Sequence, residues 1–419
     1  MERPASGITR VLRVAPALAV LGLTGVAGFT GRSAQRAGRE AIKAPTVEMT
    51  YASRGALAHA LEARSARLVR LVAPLHVAEV RPSGAAADYV RAVRHVPGIL
   101  GARATVARAA ADSTVADQES AEGAAREWQY YSVGVDRVPR RITVAAARIT
   151  IAVVDTGADL ASPALAGKVR GTYNVHTGRR RVRDRNGHGT FVASLAGGVS
   201  RQANGFVGFG GAARLLVVKV SDSTSFSDVA VAAGIVYAVR HGARIVNLSV
   251  AGRVPSIVEK AALEYAARRG VLVVAAAGND ALAGDAPEYP AALLQPVGSN
   301  GVGGSGISVG ASDSNGARAA FSEYGSFVSL VAPGESVFGA CGEARGSYGY
   351  ASGTSFAAPE VAGVAALVWA ADPKLSFRQV ASILKRSASG RGAWTPELGF
   401  GVVDAAAAVQ RAIAASAAG

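Results

Sequence analysis

"ITIAVVDTGAD", residues 149–159, decides the architecture. Its apolar run is short, rich in β-branched residues, and closed by an aspartate and a glycine, so it reads as a strand buried on both faces. "RLLVVKV" (214–220), "ARIVNLSV" (243–250) and "GVLVVAAAGN" (270–279) repeat the pattern. Between them lie helical stretches that end in glycine, "SDVAVAAGIVYAVRHG" (227–242) and "SIVEKAALEYAARRG" (256–270). Strands and helices in this alternation predict an α/β fold, a mostly parallel central sheet covered on both faces. Functional residues then belong at the carboxyl ends of the strands.

The rest of the chain is arranged around that block. With 419 residues, half of them hydrophobic, there is length for a large domain and a smaller one. The net charge of +15 is spread along the chain. Its densest run, "GRRRVRDR" (178–185), is short and stands beside no nucleic-acid motif, so it reads as solvated surface. One cysteine, Cys341, excludes an intrachain disulfide and a Cys-rich metal site. Arg3, Arg10 and Arg13 precede the uncharged "VAPALAVLGLTGVAGFTG" (14–31), the mark of an export signal, cleaved or kept as an anchor. Residues 32–66 read as a linker. Residues 67–110, with "RLVRLVAP", "HVAEVRP", the helix "AAADYVRAVRHVPG" and the strand "ILGARATVARA", read as a small α+β unit. Residues 111–127 read as a polar linker, and 128–419 as the main domain.

Four residues carry the chemistry. Asp155 closes the first strand; His188 lies between glycines in "NGHGTFVASLAGG" (186–198), at the head of a small-residue helix. Asn279 leaves the strand "VVAAAGND", and Ser355 opens the apolar helix in "YASGTSFAAPEVAGVAALVWAA" (350–371). Singly, each is as readily a cap or a turn residue. Together they supply an acid, a base, an amide donor and a hydroxyl nucleophile at a positive helix end, the set that acyl transfer needs.

The order Asp, His, Asn, Ser, carried by "VVDTGAD", "NGHGTFVA", "AAGN" and "GTSFAAPEVAG", resembles the subtilases, the subtilisin-like serine proteases. The resemblance runs from about Trp128 to "GFGVVDAAAAV" (399–409) and implies a three-layer subtilisin-like fold and a secreted serine endopeptidase. Asp155, His188 and Ser355 would form its triad, and Asn279 would hold the oxyanion. Ser249, Val250, Ala251 and Gly252 would pair with the substrate backbone. The small unit would be an inhibitory propeptide, removed by self-cleavage within 111–127. Polypeptide substrates and its own propeptide are the implied partners; nucleic acid is not, and a membrane only if 14–31 is uncleaved. A tethered processing protease with one dedicated substrate is the alternative. A scaffold without turnover fits less well, because all four residues are kept. No cofactor is implied for the chemistry. Ala164 stands where many subtilases carry a calcium-ligating aspartate, which leaves a structural calcium open. Asp280 and Glu288 occupy positions implied to border the S1 pocket; acids facing that pocket would draw Lys or Arg at P1, and acids facing solvent would not.

Overall fold

The structure, a computed structural model, describes residues 45–111, 115–116, 127–199, 207–342 and 348–417. The expected export segment over 1–31 lies outside them, as do residues 32–44 of the expected linker.

The N-terminal unit begins earlier than the sequence pattern implies. Residues 45–66, read above as linker, supply strand β1 (Val47–Tyr51) and helix α1 (Arg54–Ala63), capped by the Ser53 hydroxyl. Strands β2 (Ala66–Val72) and β3 (Val77–Pro82), helix α2 (Ala86–Val93) and strand β4 (Ile99–Ala104) complete it. The sheet is antiparallel in the order β2-β3-β1-β4, so β1 is central. Its alternate residues Val47, Met49 and Tyr51 pack on Leu57, Val80, Tyr89 and Val93. The core is small, and the polar residues between its members hid it.

"ILGARATVARA" is two strands rather than one. After β4 the chain leaves the small sheet at Thr105 and Val106 and runs on as β5 (Ala107–Ala110) against the main domain. Within the expected linker 111–127, Val115–Ala116 form a two-residue strand, β6; residues 112–114 and 117–126 lie outside the described residues.

The main domain opens with helices α3 (Trp128–Ser132) and α4 (Arg140–Ala145). There follow β7 (Thr150–Asp155), β8 (Val169–Asn174), α5 (His188–Gly197), β9 (Arg214–Lys219), β10 (Ser225–Ser227) and α6 (Asp228–Arg240). Next come β11 (Ile245–Leu248), β12 (Val250–Ala251), α7 (Ile257–Arg268), β13 (Leu272–Ala276), α8 (Ala291–Leu294) and β14 (Gly306–Ser312). The chain closes with β15 (Leu330–Pro333), β16 (Val337–Ala340), β17 (Tyr348–Ala351), α9 (Thr354–Ala371), α10 (Phe377–Ser387) and α11 (Ala405–Ala417).

Seven parallel strands form one sheet in the order β15-β14-β13-β11-β7-β9-β8. Side chains alternate across it, as the period of a strand dictates. Ile151, Val153, Ile245 and Val274 face α5 and α9, while Ala152, Val154, Val246 and Val273 face α6 and α7. This is the three-layer α/β sandwich that the sequence predicts. Helix α9 is long and apolar enough to cross a membrane, but 89% of it is buried inside the protein, so it is the core helix of the sandwich. The Gly-rich stretch 291–306 opens with α8, whose Ala291 and Leu294 are buried against the sheet.

Candidate active site

Strand order reverses direction at β7: the chain builds one side through β9 and β8 and the other through β11 to β15. A crevice opens at such a switch point, beyond the carboxyl ends of the strands. Asp155 ends β7, and Ser249 follows β11 directly.

Asp155 and His188 are buried and joined, with Asp155 Oδ1 2.7 Å from His188 Nδ1. The Thr156 N–H donates to the same oxygen at 2.6 Å. His188 begins α5, whose N-terminus is tied down by Asp184. Its Oδ1 accepts from Thr156 Oγ1, Asn186 N–H and Gly187 N–H, and its Oδ2 from Thr190 N–H and Thr190 Oγ1. The sequence reading missed Asp184, placing it in a solvated basic run; its spacing just ahead of Asn186-Gly187-His188 was the available signal. Gly189 is there for space, since a Cβ would collide with the Gly157 carbonyl. The His188 ring lies 5.7 Å from that of Phe356, the residue after Ser355, and Phe356 packs in turn on Phe191 of α5 at 4.7 Å, the two rings tilted by 58°.

Ser355 sits in the first turn of α9, fully buried. Pro359, four residues on, has no N–H to give the Ser355 carbonyl. The Ser249 hydroxyl donates to that carbonyl instead, at 2.7 Å, and is itself oriented by Asn247 Nδ2 at 2.9 Å. The Ser355 hydroxyl donates to the Ser249 carbonyl at 3.0 Å. Proline inside the helix thus lets Ser249 lock the first turn that carries Ser355.

Asn279 is held by its oxygen. Thr354 N–H and Thr354 Oγ1 both donate to Asn279 Oδ1 at 2.9 Å, which turns the amide nitrogen away from the helix. Among the described residues, Nδ2 is buried and makes no hydrogen bond. It is a donor held in reserve.

The N-terminal segment fills the crevice. β5 pairs antiparallel with β12 on one edge, Ala110 opposite Val250 and Ala109 opposite Ala251, and with β10 on the other. One residue further, the Ala111 carbonyl accepts from the Ser355 N–H at 2.9 Å. Val250 and Ala251 therefore carry the backbone ladder. Ser249 serves Ser355, and Gly252 leaves room for Arg108: a Cβ there would lie 3.3 Å from Arg108 Cδ.

Asp280 and Glu288 part company. The Asp280 side chain is exposed and meets Arg253 at 3.4 Å. Glu288 is buried, and burial together with the Asp280 charge pushes its carboxyl up to about 7. Arg253 also lies 3.9 Å from buried Glu323, so the main domain supplies its own cation to this acidic corner. Ala164 packs in the apolar core and offers no carboxylate; among the described residues no group of three or more His, Cys, Asp or Glu side chains could hold a metal.

The family model described as "Subtilase family" matches residues 146–401. Thermitase of Thermoactinomyces vulgaris is 39% identical over 220 residues, 52% of this chain and 74% of thermitase. Subtilisin Savinase of Lederbergia lenta is 36% identical over 263 residues, 62% of this chain and 91% of that protein. Among solved structures, fervidolysin from Fervidobacterium pennivorans, described as a keratinolytic enzyme related to subtilisin, superposes with a TM-score of 0.73 at 26% identity. That superposition covers 87% of this chain and 61% of fervidolysin.

Proposed function

The chain belongs to the subtilase family of serine endopeptidases, and from that membership we propose that it is an exported protease that activates itself by cutting the bond after Ala111. The observation that carries this reading is the Ala111 carbonyl seated on the Ser355 N–H, with β5 laddered along β12 like a substrate.

In the proposed reaction the Ser355 hydroxyl swings from Ser249 to attack the Ala111 carbonyl carbon, and His188 takes its proton. Asp155 holds the imidazole in the tautomer that can accept it and stabilises the imidazolium that forms. The oxyanion gains the Asn279 amide as a second donor beside the Ser355 N–H already in place. His188 then passes its proton to the departing amine of Asp112, leaving Ala111 esterified to Ser355. Water, deprotonated by His188, releases the Ala111 carboxylate and restores the hydroxyl. Other polypeptides would follow the same course once the N-terminal segment has left. Export rests on the basic, then apolar, residues 1–31.

The test is to express the full chain beside Ser355→Ala and follow mass and N-terminal sequence. The wild type should yield a fragment starting at Asp112 and digest casein; Ser355→Ala should do neither. A wild type that stays intact and inert would overturn the reading.

A further inference from the structure

If Ala111 is the P1 residue, the β5 register makes Ala110 P2, Ala109 P3 and Arg108 P4. The three alanines bring little to recognise. Arg108 is the exception: its side chain is wholly buried against Glu259, which is buried to the same degree. Arg108 Nε lies 3.1 and 3.2 Å from the two carboxylate oxygens of Glu259, and Nη2 lies 2.5 Å from Oε2. Nη1 turns back to the Ala107 carbonyl at 3.1 Å. The grip is bidentate, in the planar geometry that suits a guanidinium and not an ammonium.

Several features make this pocket part of the main domain rather than of the N-terminal unit. Glu259 sits in the first turn of α7, where the helix end favours an anion, and its N–H is capped by Ser256 Oγ at 3.2 Å. Gly252 opens the wall that the arginine stem passes, and Phe226 of β10 stands opposite Arg108 in the ladder. Asp228 lies close enough to add its charge to that of Glu259. Among the described residues, the cations paired with these two acids are Arg108 and Arg103, both on the N-terminal side of the bond to be cut. In the Asp280–Glu323 corner, by contrast, Arg253 of the main domain already sits on the acids. Removal of the N-terminal segment leaves a carboxylate pocket open at S4, while the acids at the S1 side keep their own counter-ion.

We propose that Glu259 is a specificity-determining residue that selects arginine at P4 of the substrate. The inference rests on the reading of Ala111 as the self-cleaved P1 residue. It places the enzyme's basic preference three residues upstream of P1, with small side chains accepted between.

The full chain, allowed to mature, is assayed on fluorogenic X-Ala-Ala-Ala amides with X as Arg, Lys, Leu, Ala or Glu. A serine-reactive fluorophosphonate is used in parallel to titrate active Ser355. The Arg peptide should exceed the Ala peptide in kcat/KM by about 30- to 1000-fold, the range for an ion pair made on burial. Lys should fall between them and Glu last. The double variant Arg108→Leu/Glu259→Leu, which leaves no unpaired buried charge to stop maturation, should reverse the order so that Leu outperforms Arg. Labelled enzyme that turns over the Arg, Leu and Ala peptides within threefold of one another overturns the S4 assignment and leaves the protease reading intact. Enzyme that neither takes the label nor cleaves any peptide overturns both. The wild-type series decides the matter even if the double variant fails to mature.

Discussion

Asp155 and Glu259 are both fully buried carboxylates, and among the described residues each is paired with one basic side chain. They differ in where the partner comes from. His188 belongs to the same domain as Asp155 and is fixed by Asp184, Thr156 and the turn of α5. Arg108 belongs to the segment that the proposed cleavage removes. Burial pushes Glu259 up to about 7 even with Arg108 pulling against it, so the carboxyl is poorly compensated by its own domain. An acid whose partner stays can only orient; an acid whose partner leaves can select.

The most damaging change to the permanent pair is Asp155→Asn. It preserves the shape of the site but favours the wrong His188 tautomer, and kcat for peptide hydrolysis should fall by about 10⁴. The thermal midpoint should move by only a few degrees, and scanning calorimetry beside the peptide assay checks the split. A tenfold loss or less would mean that the 2.7 Å contact is structural.

Asp184→Ala attacks the same pair from behind. It leaves the N–H groups of Asn186, Gly187 and Thr190 and the hydroxyls of Thr156 and Thr190 without their acceptor. Orphaning several donors at a buried helix end should cost about 3 kcal/mol of stability. Its catalytic effect should be near tenfold in kcat, since His188 keeps Asp155. Urea titration gives the first number and initial rates the second. If kcat falls as far as in Asp155→Asn, Asp184 is the true orienting group.

What was legible beforehand follows the same division. Asp155, His188, Asn279 and Ser355 stand at strand ends or helix starts, and each is announced by neighbours within four or five residues. The alternation of apolar strands with Gly-ended helices likewise carried the three-layer sandwich. Arg108 and Glu259 lie 151 positions apart, and nothing local to either says that they meet. The break of "ILGARATVARA" into β4 and β5 has the same origin: every residue suits a strand, but Thr105 and Val106 pass between two sheets. β1 was missed because a central strand in a small unit needs only three apolar side chains. Asp184 was lost in its composition, one acid among arginines.

The transient side extends along the whole interface of the N-terminal unit, and pH reads it out with the smallest effect. Glu48 of β1 is buried beside Asp228, bonded to Arg103, and pushed up to about 8 chiefly by desolvation and then by the Asp228 charge. Freed into water it returns to the ordinary 4.5. The bound state thus holds a proton that the free unit releases, so association is strongest on the acid side and weakens as pH rises from 4.5 through about 8. His176 works in the opposite sense. It accepts from Arg70 Nη2 at Nδ1, 3.0 Å away, and donates from Nε2 to the Val220 carbonyl at 2.7 Å. Burial, then the Arg70 charge, lowers its pKa, against weaker pulls from the Val220 carbonyl and then from Asp222 and Glu79. Association therefore loses His176's contribution as pH falls below 6.5, where the free imidazole charges. Just below pH 6.5 the two proton exchanges offset each other, so the dissociation constant of the cleaved unit from Ser355→Ala main domain should be nearly level there and should rise from pH 6.5 toward 8, where Glu48 acts alone. The rise above pH 6.5 should steepen toward about tenfold per pH unit, the slope of one proton exchanged. Glu48→Gln should remove the alkaline rise and uncover a weakening as pH falls below 6.5, and His176→Asn should extend the rise down toward pH 4.5. A dissociation constant that stays level from pH 5 to 9 would mean that both groups keep their protonation state on release, and that the interface distinguishes its partner by shape and by Arg108 alone.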